Sequence, residues 1–204
     1  PLWITVSLAF IMTILSFQWS TIFNIDLEIY VPYFATGLIS WTFVGTSIIE
    51  ASGSAAAYRS ICMNSDITIM VLVARNIMKN FIIFLHNLIL LVPIYFLFDI
   101  QPGFVDILYW LLGVFLMCIL LILLGTITAV ISAVYNDFES LISALIQASF
   151  FLTPIIWFVG QAGKVSYLID FNPFYHFIVI SRDALLYGQS SNLALSFYVV
   201  LTII

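Results

Sequence analysis

The sequence predicts an all-α membrane protein. Hydrophobic residues make up 64% of the 204 residues and charged residues only 7%, whereas a globular domain carries about 25% charged residues. Long stretches contain no Asp, Glu, Lys or Arg, and a hydrocarbon core of about 30 Å requires roughly 20 apolar residues of helix. These stretches are continuously apolar and do not alternate, which favours helices over the strands of a membrane barrel.

The uncharged stretches predict six membrane-spanning helices within one transmembrane domain, residues 1–204. The predicted spans are residues 2–23, 31–52, 80–98, 106–135, 141–159 and 193–204. The chain starts at Pro1 and its last apolar run stops in mid-span, so we expect a fragment of a longer protein. The first stretch has no positively charged start and no small-residue cleavage site, so it is interpreted as a span and not as a signal peptide.

The connections between the predicted spans differ in length and charge. Tight turns are predicted at residues 99–104, which contain Pro102-Gly103, and at residues 136–139. Residues 50–79 and 160–192 form longer connections, with three and two basic residues respectively. Because cytoplasmic loops carry an excess of Lys and Arg, this ratio places residues 50–79 in the cytoplasm and residues 160–192 on the opposite side.

Several function classes are disfavoured. No glycine-rich segment is followed by Lys and then Ser or Thr, so the chain is not expected to hydrolyse ATP itself. All acidic residues lie at or beyond the ends of the predicted spans, which argues against an ion-coupled transporter. No catalytic set is apparent, Cys62 and Cys118 are too far apart in the topology to form a metal site, and no basic cluster could bind nucleic acid. We expect neither enzyme activity nor a bound cofactor on this chain.

The connection at residues 50–79 is too long for a simple turn. Ser65 and Asp66 could cap a helix that begins at Ile67, and apolar residues recur in it at helical spacing. Two interpretations stay open at this point: a surface helix that docks a partner protein, or an interfacial start to the third span.

The connection at residues 160–192 contains a second predicted helix. Asn172-Pro173 should begin it, because the residue before proline avoids the α region, and Gly188 is a plausible C-cap. Arg182 and Asp183 fall in the middle of this helix. It could lie in the membrane interface, dip back among the spans, or expose a solvated ion pair, and we favour a position at a pore mouth.

Five short motifs occur in the order found in one family of transporters. They are YFATGLISW at residues 33–41, ND at 136–137, FFLTPIIW at 150–157, NPFY at 172–175, and Arg182 followed by LLYG at 185–188. With these motifs the chain resembles the permease subunit of ABC-2-type exporters, in particular the bacterial branch that exports O-antigen (lipopolysaccharide), capsule and teichoic-acid polymers.

The resemblance implies a six-helix half-transporter in the bacterial inner membrane. Two copies would pair around a conduit for a lipid-linked glycan, and a separate nucleotide-binding subunit would use ATP to drive export. Residues 50–79 would hold the coupling helix that docks this subunit, and residues 160–192 would form re-entrant gate helices. The corresponding docking residues are Arg59, Asp66, Arg75 and Lys79, and the gate residues are Asn172, Pro173, Tyr175 and Arg182.

Two departures from the family pattern affect the choice of cargo. The branch often has Arg-Asp where this chain has Asn136-Asp137, and it often has a proline early in the third span, where residues 71–84 have none. An ABC-2 exporter of drugs or lipids is therefore the alternative, and a channel or membrane scaffold is a further one. The interfacial helix that precedes the first span in the family would lie before Pro1.

Aromatic residues could supply the surface along which a sugar polymer slides. Aromatic residues make up 17% of the chain, and their flat faces suit the C–H faces of sugar rings. The candidates for the conduit cluster around the second span: Tyr30, Tyr33, Phe34, Trp41 and Phe43. An ordinary interfacial aromatic belt is the competing interpretation.

Overall fold

The computed structural model describes residues 2–62, 68–135, 137–161, 163, 169, 171–188 and 196, with backbone alone for residues 55–62. The regular elements among these residues are all helical. The α-helices are α1 (Leu2–Phe23), α2 (Leu27–Cys62), α3 (Ile69–Asn87), α4 (Leu91–Leu97), α5 (Phe104–Val134), α6 (Phe138–Leu152) and α7 (Pro173–Leu186). A 3₁₀ turn, Leu88–Leu90, joins α3 to α4, and a second one covers Val159–Gln161.

Four helical segments are long and apolar enough to cross a membrane: Leu2–Phe23, Leu27–Ser54, Ile69–Leu97 and Phe104–Val134. They correspond to the first four predicted spans and confirm the all-helical membrane class. Helix α2 lies at the centre of the bundle and contacts α1, α3, α5, α6 and α7. The predicted sixth span falls outside the described residues, apart from Ser196.

The first part of the long connection predicted at residues 50–79 is wrong, whereas the helix predicted from Ile67 is present and begins at Ile69. Helix α2 continues through the small-residue segment as far as Cys62, and α3 begins at Ile69. The segment after Glu50 is rich in alanine, a strong helix former, and contains no proline, so nothing ends the helix at the membrane surface. The apolar residues after Thr68 belong to the start of the third span, as one of the two open interpretations held.

The fifth predicted span is too long. Helix α6 ends at Leu152, after 15 residues, and an irregular segment, residues 153–158, follows it. Thr153 is extended (φ −92°, ψ 136°), as expected of a residue that precedes proline. At 1.5 Å per residue α6 is roughly 22 Å long, which is shorter than a hydrocarbon core.

Helix α7 begins and ends where the sequence predicted. The Asn172 side chain accepts a hydrogen bond from the Phe174 N–H at 3.0 Å, and Pro173 occupies the first turn. Gly188 follows the last turn with φ +66°, the left-handed conformation that favours glycine. Residues 175–185 are all buried, and α7 packs against α2 and α5. An amphipathic helix with one open face is therefore wrong for this segment, and α7 is an internal helix of the bundle.

Candidate functional site

One face of the central helix α2 remains open. Thr46 is exposed and Thr42 half-buried, one helical turn apart on the same side. A groove of about 400 Å³ runs beside them, between α2 and α6. We call this groove the α2 trough, and its lining residues are Trp41, Thr42, Gly45, Thr46, Ile49, Ile146, Gln147, Phe150 and Phe151.

The α2 trough combines hydrogen-bonding groups with aromatic rings. Thr42, Thr46 and Gln147 contribute hydroxyl and amide groups, and Trp41 lies 5.7 Å from Phe150 between ring centroids. Gly45 lets α6 come close, because a Cβ there would lie 3.2 Å from Cγ2 of Ile146. A surface with both polar groups and rings can bind polar and ring-shaped molecules alike.

A second cavity opens on the other side of the same threonines. It measures about 250 Å³, lies between α1, α2 and α3, and again borders Thr42 and Thr46. We call it the α1–α3 cleft. Glu50 lies at its mouth and accepts hydrogen bonds from Lys79 Nζ at 2.7 Å and from Asn80 Nδ2 at 2.9 Å. Charged and amide groups thus tie α2 to α3 at this end of the bundle.

Arg182 and Asp183 form a buried pair and not a solvated one, which corrects the surface-loop alternative. Arg182 is 2% exposed, and its Nε donates to Asp183 Oδ1 at 3.0 Å. Its Nη1 donates to the Pro154 carbonyl at 2.9 Å, and its guanidinium carbon lies 4.0 Å from the Tyr33 ring centroid. The charge is therefore neutralised within the bundle, beneath the irregular segment that follows α6.

Side chains of α2 and α7 satisfy the backbone of that irregular segment. Tyr30 donates to the Ile156 carbonyl at 2.7 Å, and Tyr33 shares its one hydroxyl hydrogen between the carbonyls of Pro154 and Trp157, at 2.8 and 2.9 Å. Non-helical backbone at membrane depth is tolerated where its polar groups are bonded inside the protein. The two tyrosines and Arg182 together make the break after α6 possible.

The five predicted conduit residues are buried in the bundle and do not form one continuous surface. Tyr30 stacks on Phe34, Tyr33 on Phe158, and Phe43 on Phe84. Trp41 borders the α2 trough, and Phe43 borders the α1–α3 cleft. Conduit lining by Tyr30, Tyr33 and Phe34 stays a prediction, and the structure gives these three side chains packing and hydrogen-bonding contacts.

The predicted docking residues lie on two helices. The backbone of Arg59 belongs to α2, while Arg75 is exposed on α3 and Lys79 is paired with Glu50. Asp66 lies outside the described residues. Of the predicted gate residues, Asn172 and Pro173 begin α7, and Tyr175 and Arg182 are buried on it.

Sequence reasoning missed the threonines of the trough. Thr42, Thr46 and Glu50 recur at intervals of four, and residues four apart share a helix face. This spacing was a usable signal for a polar stripe along the second span. The contacts of Tyr30 and Tyr33 had no such signal, because their partners lie more than 120 positions away.

No model of a known protein family matches the sequence, and no curated protein matches it.

Proposed function

We propose that the chain is the membrane permease subunit of an ATP-driven exporter that moves a lipid-linked polysaccharide across the bacterial inner membrane. Two copies form the conduit, and a separate nucleotide-binding subunit supplies the energy. The motif order described above supports this family. The α2 trough is the single observation that carries the transport function.

A conduit for a sugar polymer requires hydrogen-bonding groups inside an apolar bundle, and Thr42, Thr46 and Gln147 place such groups along the otherwise apolar α2 trough. The Thr46 hydroxyl donates to the Thr42 carbonyl within α2, and its oxygen can still accept a hydrogen bond from a ligand. A second copy placed over the trough closes it into a conduit. The hydroxyl and amide groups then hydrogen-bond sugar hydroxyls, while Trp41 and Phe150 contact sugar rings.

The helical break and α7 support a gated pathway. Helix α6 is too short to cross the bilayer, and α7 enters the bundle without spanning it. Interrupted helices of this kind occur in transporters where the chain borders a pathway. The cluster around Arg182 lies at the junction of both elements, so gate opening changes these contacts.

The distribution of basic residues supports the orientation. Arg59, Arg75 and Lys79 lie on α2 and α3 near the segment that joins them. Arg182 is buried in the bundle, whereas Lys79 is exposed although it pairs with Glu50. Arg182 therefore does not act as a loop charge, and of the two basic residues at 160–192 only Lys164 still counts. The positive-inside rule then favours a cytoplasmic location for the α2–α3 junction, where the ATPase subunit docks.

Filling the α2 trough should stop export. We expect Thr46→Trp to reduce polymer at the cell surface to the level of cells without the protein, because the indole occupies space along the pathway. The residue is exposed, so the change does not overpack the core. Surface polymer is measured by lectin or antibody binding, and membrane-protein levels are measured in the same cells.

Thr13→Trp is the matched control, since Thr13 is an exposed threonine on α1 that does not border the trough. It should leave export unchanged. Normal export by Thr46→Trp at normal protein level would contradict the trough as the pathway.

ATP hydrolysis should require the partner subunit. We expect the purified chain in lipid nanodiscs to release no phosphate from ATP above an empty-nanodisc control, because its sequence lacks a phosphate-binding loop. Adding the nucleotide-binding subunit should restore hydrolysis. Activity of the chain alone, persisting after a second purification step, would refute the half-transporter proposal.

A further inference from the structure

The α1–α3 cleft has polar groups along two antiparallel helices. On α2 they run from Thr42 to Glu50, and on α3 from Asn80 to Asn87. The two stretches rise by eight and seven residues, which is about 12 and 10 Å of helix. The cleft thus extends from Glu50 and Asn80 at one end to Thr42 and Asn87 at the other.

Two buried amides line the inner part of the cleft. Asn80 is 4% exposed and Asn87 is 3% exposed. Asn80 donates to Glu50 Oε2 at 2.9 Å, and Asn87 Oδ1 accepts a hydrogen bond from Thr5 Oγ1 at 2.9 Å. An amide has two N–H donors and two acceptor positions, so these bonds use a fraction of its capacity. Intramembrane polar groups are expensive to bury and are often functional, which points to a polar ligand.

The charge of the cleft indicates an uncharged ligand. Lys79 and Glu50 are 2.7 Å apart and neutralise each other. The amides of Asn80 and Asn87 can donate to and accept from hydroxyl groups, while Phe43 and Phe84 are buried behind them and stacked on each other at 5.0 Å between centroids. Amide groups at two points along one cleft suit a ligand with several hydroxyl groups, such as a sugar.

The surroundings of the cleft indicate that this sugar belongs to a lipid. Ile4 and Leu8 of α1 form the opposite wall, and Ile4 is exposed on the face of a membrane-spanning helix. The cavity, about 250 Å³, is somewhat smaller than typical ligand pockets, so it accommodates a single headgroup and not a polymer. We propose that the α1–α3 cleft binds the uncharged glycosyl headgroup of a membrane lipid, whose acyl chains lie along α1.

This inference rests on the proposed function for its biological role, as a first contact for sugar-bearing lipid cargo. Binding itself needs neither ATP nor the partner subunit. A binding assay can therefore fail while export is normal, and export can fail while binding is normal.

The experiment uses the full-length protein in lipid nanodiscs with monoglucosyldiacylglycerol that carries a diazirine in an acyl chain. After irradiation, mass spectrometry locates the label. We expect saturable labelling of α1 or α3, displaced by unlabelled monoglucosyldiacylglycerol but not by diacylglycerol or by methyl glucoside. Loss of one buried hydrogen-bonding amide, in Asn80→Leu or Asn87→Leu, should weaken apparent affinity about tenfold.

Asn76→Leu is the matched control on the same helix, because Asn76 bonds Ser54 and the Glu50 carbonyl and does not line the cleft. If an amide variant misfolds, Thr42→Val with Thr46→Val replaces the cleft hydroxyls at nearly constant shape and should also weaken labelling. If all these cleft variants are labelled as strongly as the parent, the proposal is overturned. If diacylglycerol displaces the labelled lipid as well as monoglucosyldiacylglycerol does, the cleft binds only acyl chains and the proposal fails. If methyl glucoside displaces it equally well, the cleft binds a free sugar and not a lipid headgroup.

Discussion

Replacing Arg182 by alanine should destabilise the fold by about 3–5 kcal/mol, the range for removing one partner of a buried ion pair. The variant leaves the Asp183 carboxylate buried without its cation, since Asp183 Oδ1 receives the Arg182 Nε–H at 3.0 Å. It also removes the guanidinium that lies against the Tyr33 ring. Thermal unfolding in detergent micelles, followed by near-ultraviolet circular dichroism, measures the effect.

The Pro154 carbonyl is not the main source of this loss. It accepts hydrogen bonds from both Arg182 Nη1 and the Tyr33 hydroxyl, so one donor remains after the substitution. The unpaired Asp183 charge should dominate instead. We therefore expect Arg182→Met combined with Asp183→Asn to be more stable than Arg182→Met alone, because no uncompensated charge remains.

Arg75→Ala is the matched control, because Arg75 is exposed on α3. Surface substitutions usually change stability by less than about 0.5 kcal/mol. If Arg182→Ala were as stable as Arg75→Ala, the ion pair between Arg182 and Asp183 would not stabilise the fold.

Local signals predicted the elements whose ends depend on single residues. Asn172-Pro173 and Gly188 marked the ends of α7, and Pro102-Gly103 marked the turn between the third and fourth spans. A cap or a proline acts on its own turn of backbone. Such features can therefore be identified without knowledge of tertiary contacts.

Hydropathy alone misplaced the ends of α2 and α6. Small residues after Glu50 were interpreted as a connection, although alanine favours helix. The apolar run continues past Pro154, so hydropathy does not indicate that α6 ends at Leu152. Pro154 was a usable signal, because proline disfavours helix for the residue before it.

The candidate sites depend on contacts between distant segments. The burial of Arg182 requires α7 to lie inside the bundle and the Pro154 carbonyl to face it. The α2 trough requires α6 to pack against Gly45 through Ile146 and to leave Thr46 exposed. Periodicity gives the face of a helix on which a residue lies, but the neighbour of that face is fixed by packing.

Replacing Gly125 by leucine should prevent close packing of α5 against α2 and α3. A Cβ at this position would already lie 2.8 Å from Ala51 Cβ and 2.9 Å from Val73 Cγ1, both well inside van der Waals contact. Overpacking by added methylenes typically costs about 1–3 kcal/mol and occasionally more. Leucine adds three further carbon atoms beyond this Cβ, so we expect a loss of folding stability at or above the top of that range.

The same site should reverse the usual effect of a glycine-to-alanine change. In an open helix interior alanine is about 1 kcal/mol more favourable than glycine, whereas Gly125→Ala should lower stability because of the two contacts. Adding Ala51→Gly and Val73→Ala removes the opposing atoms and should restore part of the lost stability. Gly160→Ala is the control, because a Cβ there meets nothing within 4 Å.

A thiol-reactive fluorophore provides the measurement, because Cys118 lies half-buried on α5, the helix that Gly125→Leu displaces. In a Cys62→Ser background the dye reports Cys118 alone, and its reaction on heating gives an unfolding temperature. We expect Gly125→Leu to react before heating, Gly125→Ala to unfold several degrees earlier than the parent, and Gly160→Ala to match the parent. Equal unfolding temperatures for Gly125→Leu and the parent would mean that α5 does not approach Ala51 and Val73 this closely, and the central position of α2 would then have to be revised.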